Sequence, residues 1–197
     1  MTRRTRLAIT MAVVTTAWAM SQLATAAPAT QLRTAPIGTQ LDLLLGSELT
    51  SKAAKVDDPF EASTIIDVKQ GGQVLIPAGA IARGFVGSVR ASTQTNHQGQ
   101  LTLSFDELRI GEQAVKLRAS VVAVLNPKRR PSATRDGAPI DLADPGTMSP
   151  LAGVVVSPGG SLMSMMAGDV LLPLGAVLRI RLDRAIEIKT TSRAEGR

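Results

Sequence analysis

The sequence predicts an all-β protein, a small antiparallel β-barrel or sandwich with a long Met/Gly/Pro-rich insertion before its last strands. Three observations predict this fold. Apolar residues recur at every second position in several runs between residues 39 and 125, which is the period of a half-buried strand. No stretch of about twelve residues in that range keeps the helical period of about 3.6. Turn signals separate the runs, as they do in antiparallel barrels and sandwiches.

Seven strands follow from this alternation, and two of them carry phenylalanines that we assign to the core. Phe85 shares one face of its strand with Ile81 and Val89, and Phe105 shares a face with Leu101 and Leu103. Both rings are therefore expected to be the largest side chains of the barrel interior. The predicted strands are 39–45, 60–66, 81–89, 101–105, about 114–125, 177–182 and 186–189.

A Pro-x-Gly turn precedes three of these strands. Proline fixes φ and is expected at the second position of a type I turn, with glycine at the fourth. The first and third copies extend into a longer similarity between residues 36–52 and 173–189. Either the turn chemistry is simply repeated, or the two strands are pseudo-equivalent and lie together where a barrel closes. The structural turn residues are Pro36, Gly38, Pro77, Gly79, Pro173 and Gly175.

The first 26 residues have the order of a secretory signal peptide. Arg3, Arg4 and Arg6 precede an uncharged stretch, and Ala24-Thr25-Ala26 supplies the small residues of a cleavage site. A retained N-terminal anchor is the alternative, although the stretch is shorter than the roughly 20 residues of a bilayer span. We expect residues 27–197 to form one exported domain that works in the periplasm.

The insertion, about residues 127–169, interrupts the alternation. It contains the basic cluster Lys128, Arg129 and Arg130, which is either a solvated loop or a contact for anionic lipid or an acidic partner. Residues 145–168 carry no charge and include Met163, Met165 and Met166, which are adaptable contact residues. This segment packs on its own barrel, contacts a partner or the outer membrane, or is disordered. We take the three basic and three methionine residues as candidate interaction residues.

The composition excludes most chemistry. The chain has no cysteine, one histidine (His97) and 2% aromatic residues, so no catalytic residue, metal site or cofactor site is predicted. The adjacent acids Asp57-Asp58 and Asp106-Glu107 would point to opposite faces of a strand, and the first pair suits a turn that caps backbone amides. The net charge of +6 includes the basic leader, and no basic face for nucleic acid is evident.

Several short motifs resemble the C-terminal barrel of the TrbI-like family, which are core-complex subunits of conjugative type IV secretion systems. The motifs are Leu75-Ile76-Pro77-Ala78-Gly79 with Arg83-Gly84, then 101–108, then an insertion, then Leu172-Pro173-Leu174-Gly175-Ala176-Val177-Leu178. The resemblance covers about residues 36–189 and implies a periplasmic barrel. In the family an insertion projects a helical antenna to the outer membrane, whereas residues 145–168 lack a clear helical pattern.

The sequence therefore predicts a non-enzymatic structural or assembly protein of the bacterial envelope. Its expected partners are envelope proteins, including further copies of the chain, and the outer membrane through residues 145–168. Two alternatives stay open at this point. One is a freestanding periplasmic protein that binds a small apolar or glycan ligand in the barrel mouth. The other is a flagellar-type assembly chaperone, whose β-clip domain the run from Pro173 to Leu178 also resembles.

Overall fold

The structure is a computed structural model, and it describes residues 29–127, 148–158 and 160–192. These residues form sixteen β-strands and contain no helix, which confirms the all-β prediction. The predicted signal peptide lies outside them. The strands are β1 (Ala29–Ala35), β2 (Gln40–Leu45), β3 (Leu49–Thr50), β4 (Pro59–Thr64), β5 (Val68–Gln70), β6 (Gln73–Ile76), β7 (Ile81–Arg90), β8 (Gly99–Ile110), β9 (Gln113–Lys116), β10 (Ala119–Pro127), β11 (Met148–Pro150), β12 (Val154–Val156), β13 (Leu162–Met165), β14 (Leu171–Leu172), β15 (Val177–Leu182) and β16 (Ile186–Ser192).

One antiparallel sheet of ten strands surrounds the core. Its order is β11-β10-β15-β2-β4-β7-β8-β13-β12, and β9 pairs with β8 beside this path. Only Leu117 and Arg118 separate β9 from β10, and the Leu117 amide donates to the Asp106 carbonyl at 2.7 Å. Because β9 pairs with β8 while β10 pairs with β15, the sheet curls back on itself. The strand pairs β1–β16, β3–β14 and β5–β6 are separate two-stranded sheets.

Alternating burial in the central strands explains why the sheet curls around a single core. In β2 and in β15 every second side chain faces inward, and those side chains are leucine or isoleucine. Each of them contributes roughly 1.5–3 kcal/mol when it leaves water. The inward residues of the two strands are Leu41, Leu43, Leu45, Leu178, Ile180 and Leu182, all 2% exposed or less.

The aromatic core differs from the prediction. Phe105 is buried, but its aromatic partner is Phe60, with ring centroids 5.4 Å apart and an interplanar angle of 85°. Phe85 is only half-buried and lies on the outer face of β7, so its assignment to the core is wrong. The inward residue beside it is Gly84, opposite both buried rings, where an added Cβ would come 2.7 Å from the Phe60 ring. The Phe60 ring of β4 thus fills the space beside Gly84 of β7 that a side chain at position 84 would need.

A β-bulge explains why simple alternation failed in β7. The pairing of β7 with β8 shifts between Val86 and Ser88, which places the extra residue at Gly87. A bulge reverses which face the following residues occupy. Val89 therefore packs against the core although Phe85, four residues earlier, faces outward.

The predicted strand at about 114–125 is in fact two strands. β9 and β10 are interrupted at Leu117 and Arg118, and a second irregularity lies between Val121 and Ala123. The inward position consequently moves from Ala123 to Val124, which is buried.

The described part of the insertion is ordered β-structure on the barrel. β12 and β13 form a hairpin, and β13 pairs with the beginning of β8, where Met163 lies opposite Leu101. β11 pairs with the end of β10. The strands within residues 148–158 and 160–168 therefore extend the sheet. Because these strands pack on the barrel, the segment carries no charged side chains.

All three Pro-x-Gly segments are turns, but their geometry is that of type II. In each, the proline carbonyl accepts a hydrogen bond from the residue after the glycine, at 3.0–3.3 Å. Proline is therefore at the first position and glycine at the third, where φ must be positive. The φ values of Gly38, Gly79 and Gly175 are 89°, 83° and 81°. The predicted type I turn, with proline second and glycine fourth, is wrong.

Candidate interaction surface

The candidate interaction residues of the insertion divide into three groups. Met163 is fully buried, so it is not available to a partner, whereas Met165 is half-buried and packs partly against the core. Met166 is 81% exposed. Lys128, Arg129 and Arg130 lie outside the described residues. The methionine assignment is thus wrong for Met163, because β13 adds to β8 and turns that side chain toward the barrel interior.

Four large apolar side chains are exposed in segments at one end of the barrel, and together we call them the apolar surface. We call this end of the barrel the Leu45 end, because β2 ends there, β4 begins there, and the turn before β15 lies alongside. The surface comprises the exposed side chains of Val56, Met166, Leu171 and Leu174. Leu171 belongs to β14, which pairs with β3, and Leu174 is the central residue of the turn before β15. Exposed large apolar side chains at one end of a domain are candidates for contact with another protein.

A shallow groove adjoins this surface. Its volume is about 380 Å³. A separate groove of about 420 Å³ lies on the outer face of β2, where Asp42 and Arg179 line it. Gly46, Pro59 and Phe60 are among the residues that line the groove at the Leu45 end. Both are open grooves outside the packed core.

The loops of the Leu45 end are tied together by Asp169. One carboxylate oxygen of Asp169 accepts hydrogen bonds from the Ser51 hydroxyl at 2.9 Å and from the Ser92 amide at 2.8 Å. The Ser51 hydroxyl oxygen in turn accepts from the Val170 amide at 3.0 Å. The Ser92 amide is the largest cause that lowers the pKa of Asp169, and the Ser51 hydroxyl acts in the same direction. Asp169 thus joins three chain segments that are distant in sequence.

Close packing of backbone reinforces this junction. The Gly99 amide donates to the Gly168 carbonyl at 2.9 Å, and the Gly168 amide donates to the His97 carbonyl at 2.8 Å. A Cβ on Gly99 would lie 2.7 Å from the Gly168 carbonyl oxygen and 2.8 Å from the Ser51 hydroxyl. A side chain at position 99 would therefore separate the segments that Asp169 joins.

The acidic pairs and the single histidine have no catalytic arrangement in the described residues. Asp58 accepts a hydrogen bond from the Lys55 amide at 2.7 Å, which is the backbone-capping role expected of a turn. Glu107 lies on the outer face with Arg83 and Arg109, at 3.9 Å and 3.3 Å. His97 is exposed. In the part of the chain that the structure describes, no three His, Asp or Glu residues gather to hold a metal ion.

The strands β2 and β15 are related by a pseudo-twofold axis. They pair directly, so that Asp42 lies opposite Arg179, and the same two residues are equivalent in the sequence similarity, 137 positions apart. Gly38 donates to the Leu182 carbonyl and Leu182 to the Thr39 carbonyl, at 2.8 and 2.9 Å. The equivalent bonds run from Gly175 to the Leu45 carbonyl and from Leu45 to the Ala176 carbonyl, at 3.0 and 2.8 Å.

This geometry favours the hypothesis that the two segments are pseudo-equivalent and adjacent. The prediction that they meet where the barrel closes is wrong, because β2 and β15 pair in the middle of the main sheet, between β4 and β10. An ion pair marks the axis: Arg179 donates to both carboxylate oxygens of Asp42, at 2.7 and 2.8 Å. The hydrogen bonds to Asp42 raise the pKa of Arg179.

Two apolar surface residues that the sequence reasoning missed are also related by this axis. Ile37 and Leu174 are the central residues of the equivalent turns, and they are 67% and 70% exposed. They lie at opposite ends of the β2–β15 pair. Their place in the Pro-x-Gly motif could have identified them, because the residue between proline and glycine in such a turn points to solvent.

The chain has a similar solved structure among known proteins. No protein-family model matches the chain, and no curated protein matches it. The chain is similar to ComB10 of the Com type IV secretion system of Helicobacter pylori, at 11% sequence identity and a TM-score of 0.44. The match covers 82% of this chain and 93% of that one. Within the described residues, no helix has the length and hydrophobicity that crossing a membrane requires.

Proposed function

We propose that this chain is an exported structural subunit of a bacterial envelope assembly of the type IV secretion kind, as its motif resemblance implies. The proposal depends on the chain's own residues and not on the similar structure. The observation that carries it is the apolar surface of the Leu45 end, where Met166 and Leu174 are 81% and 70% exposed. Apolar area of this kind is stabilised when another protein covers it.

The junction at Asp169 supports the proposal because it makes the surface rigid. Ser51 and Ser92 hold that carboxylate from two different segments, and Val170 follows it directly. A surface that is already in its binding conformation loses little conformational entropy when a partner binds.

The packed interior weighs against the alternative of a ligand in the barrel mouth. Leu41, Leu43, Phe105 and Ile180 are all buried side chains of the single core. A ligand inside the barrel would have to displace some of them, at a cost of several kcal/mol for each vacated or overfilled position. The flagellar-type chaperone alternative differs in the kind of partner that the chain binds. The co-purification experiment that tests the proposal also tests this alternative.

The test is co-purification from the envelope with two matched variants. The chain is tagged at its C-terminus in its own cells, the envelope is solubilised, and the proteins that co-purify are identified. Leu174→Ser removes an apolar residue from the Leu45 end, and Ile37→Ser makes the same change at the equivalent turn of the opposite end. We expect subunits of a type IV secretion system to co-purify with the unaltered chain and with Ile37→Ser, and to be lost with Leu174→Ser.

Two results would contradict the proposal. One is co-purification of flagellar ring proteins in place of secretion subunits, and the other is full retention of the partners by Leu174→Ser. Export is tested separately by the intact mass of the protein in the periplasmic fraction. Cleavage near Ala26 is expected, and a periplasmic protein that still begins at Met1 would refute it.

A further inference from the structure

The two-stranded sheet of β1 and β16 has one open edge. Its pairing is continuous from Ala29 opposite Ser192 to Ala35 opposite Ile186, with no bulge. The other edge of β16 is covered, because the Gln113 side chain accepts from the Lys189 amide at 3.0 Å and donates to the Glu187 carbonyl at 3.5 Å. No strand of the described residues pairs with the outer edge of β1.

The direction of the outer backbone groups follows from the Gln113 contacts. The Glu187 carbonyl and the Lys189 amide point away from β1. In an antiparallel pair, residues whose groups point away from the partner alternate with residues that bond to it. Glu187 and Lys189 lie opposite Thr34 and Leu32, so these two residues of β1, and Thr30 at the same spacing, direct their backbone groups outward. Outside the strand pairing, none of these three amides donates to a backbone carbonyl of the described residues.

The usual protections of an edge strand are absent from β1. Natural edge strands are short, bulged, interrupted by proline or rich in charge. The strands β11 and β12, which end the main sheet, have three residues each. β1 has seven residues, no proline, no bulge and one charged residue, Arg33. Leu32, at its centre, is 67% exposed.

We propose that the open edge of β1 pairs with the β1 edge of a second copy of this chain, antiparallel and centred on Leu32. The outward residues, Thr30, Leu32 and Thr34, are symmetric about that centre, so every outward amide meets an outward carbonyl of the second copy. The result is a continuous four-stranded sheet with an isologous interface.

Charge and side-chain chemistry fit this occupant. In the proposed register Arg33 lies opposite Gln31 of the second copy, so the two cations do not face each other. The Arg33 guanidinium already donates to the Gln31 amide oxygen at 3.3 Å within one strand, which shows that these two side chains are compatible. Leu32 meets its own counterpart, and that contact removes two exposed leucine side chains from water. This inference is independent of the proposed export and secretion role.

The first test removes a single backbone donor. Leu32→Pro deletes an amide that points outward and leaves the bonds between β1 and β16 intact, and proline is tolerated at such edge positions. Leu32→Val is the matched control, because it keeps the amide and an apolar side chain. Protein purified from cells that express the full sequence is studied by analytical ultracentrifugation up to about 1 mM, the weak limit of specific association.

We expect the unaltered protein and Leu32→Val to form dimers, and Leu32→Pro to dimerise at least about tenfold more weakly. A protein that stays monomeric throughout, or a Leu32→Pro variant that dimerises as strongly as Leu32→Val, would overturn the proposal.

The second test determines which residues of the two β1 strands lie opposite each other, and it does not depend on the proline variant. The chain contains no cysteine, so Leu32→Cys introduces its only thiol. In the proposed dimer two such thiols lie directly opposite each other, with Cα atoms about 5.5 Å apart, which a disulfide can bridge. Thr34→Cys is the matched control on the same side of the same strand. Its two copies would lie about 14 Å apart along the strands, too far for a bond.

Under mild oxidation we expect Leu32→Cys to form a covalent dimer at least about tenfold faster than Thr34→Cys, as the strict distance dependence of disulfide formation implies. Equal rates for the two variants, or a faster reaction of Thr34→Cys, would overturn the proposed register.

Discussion

The strand pairs β2–β15 and β1–β16 share one antiparallel geometry, but they differ in what surrounds them. β2 and β15 are hydrogen-bonded on both outer edges, to β4 and to β10, and their inward leucines lie in the core. β1 has one open edge and an exposed leucine at its centre. Stability and self-association are therefore located in different strand pairs of this fold. Buried Leu43 of β2 represents the pair that stabilises the fold, and exposed Leu32 of β1 represents the pair that associates.

The largest expected effect on the free energy of unfolding comes from shortening Leu43, the buried leucine of β2. Leu43→Ala removes a fully buried side chain of β2, and Leu-to-Ala changes in cores cost about 2–5 kcal/mol. Leu32→Ala in β1 should change the free energy of unfolding of the monomer by less than about 0.5 kcal/mol. Denaturant titration followed by circular dichroism, at low protein concentration, measures both. Equal losses would contradict the separation of roles.

The next prediction tests how tightly the barrel wall is packed. Gly84→Ala places a Cβ 2.7 Å from the Phe60 ring and against the Ser104 carbonyl, and such overpacking costs about 1–3 kcal/mol. The matched control is Gly160→Ala, whose added Cβ would meet only the Leu162 nitrogen, at 3.9 Å. The same titration compares them. A Gly84→Ala variant as stable as Gly160→Ala would show that the Phe60 ring does not lie over β7.

A smaller effect is expected at the pseudo-twofold axis. Asp42→Ala removes the carboxylate that Arg179 holds with two hydrogen bonds, which should cost about 1 kcal/mol for a partly exposed pair. Asp42→Arg alone should cost more, because two arginines would then face each other. Adding Arg179→Asp should restore most of the stability, since the axis makes the two positions equivalent. A double variant no more stable than Asp42→Arg would contradict this equivalence.

The smallest effect is a pH dependence at the Leu45 end. The pKa of Asp169 is lowered in the folded protein, chiefly by the Ser92 amide, so its ionised form stabilises the fold at pH values above its ordinary pKa. That contribution is lost as the pH falls from this ordinary value through the lowered pKa. Asp169→Asn keeps the acceptor oxygen but cannot titrate. The stability difference between the two proteins should therefore be constant at neutral pH and shrink in acid, and a constant difference down to pH of about 2 would contradict the assignment.

The part of the fold that the sequence predicts well is the part with uninterrupted alternation. β2, β15 and the first part of β8, from Leu101 to Phe105, keep the period of two through the core, and their inward residues follow from it. The period breaks at Gly87, at Asp106 of β8 and between Val121 and Ala123, where irregularities in the pairing shift the faces. Alternation alone cannot reveal such a shift, because it depends on how two strands pair and not on either strand alone. Strict alternation groups Phe85 with Val89, but Val89 lies beyond the Gly87 bulge and faces the core, whereas Phe85 lies before it and faces outward.

The interaction surface was harder to predict for a different reason. Met163 and Met166 are three residues apart in one uncharged segment, yet Met163 is buried and Met166 is exposed. This difference depends on the pairing of β13 with β8, which lies far earlier in the sequence. β1 shows no alternation at all, and its importance comes from an edge that only the topology defines. The Pro-x-Gly turns, by contrast, were located correctly, because a positive φ at glycine is a local requirement.

The most direct test of the separation between stability and association is hydrogen exchange of two amides, resolved by NMR at several protein concentrations. The Leu43 amide lies in the closed β2 pairing and should exchange slowly, at a rate independent of concentration. The Leu32 amide points outward from β1, so it should exchange fast in dilute protein and become protected as the concentration rises. A Leu32 amide that stays equally exposed at every concentration would contradict the account, as would a Leu43 amide whose protection depends on concentration.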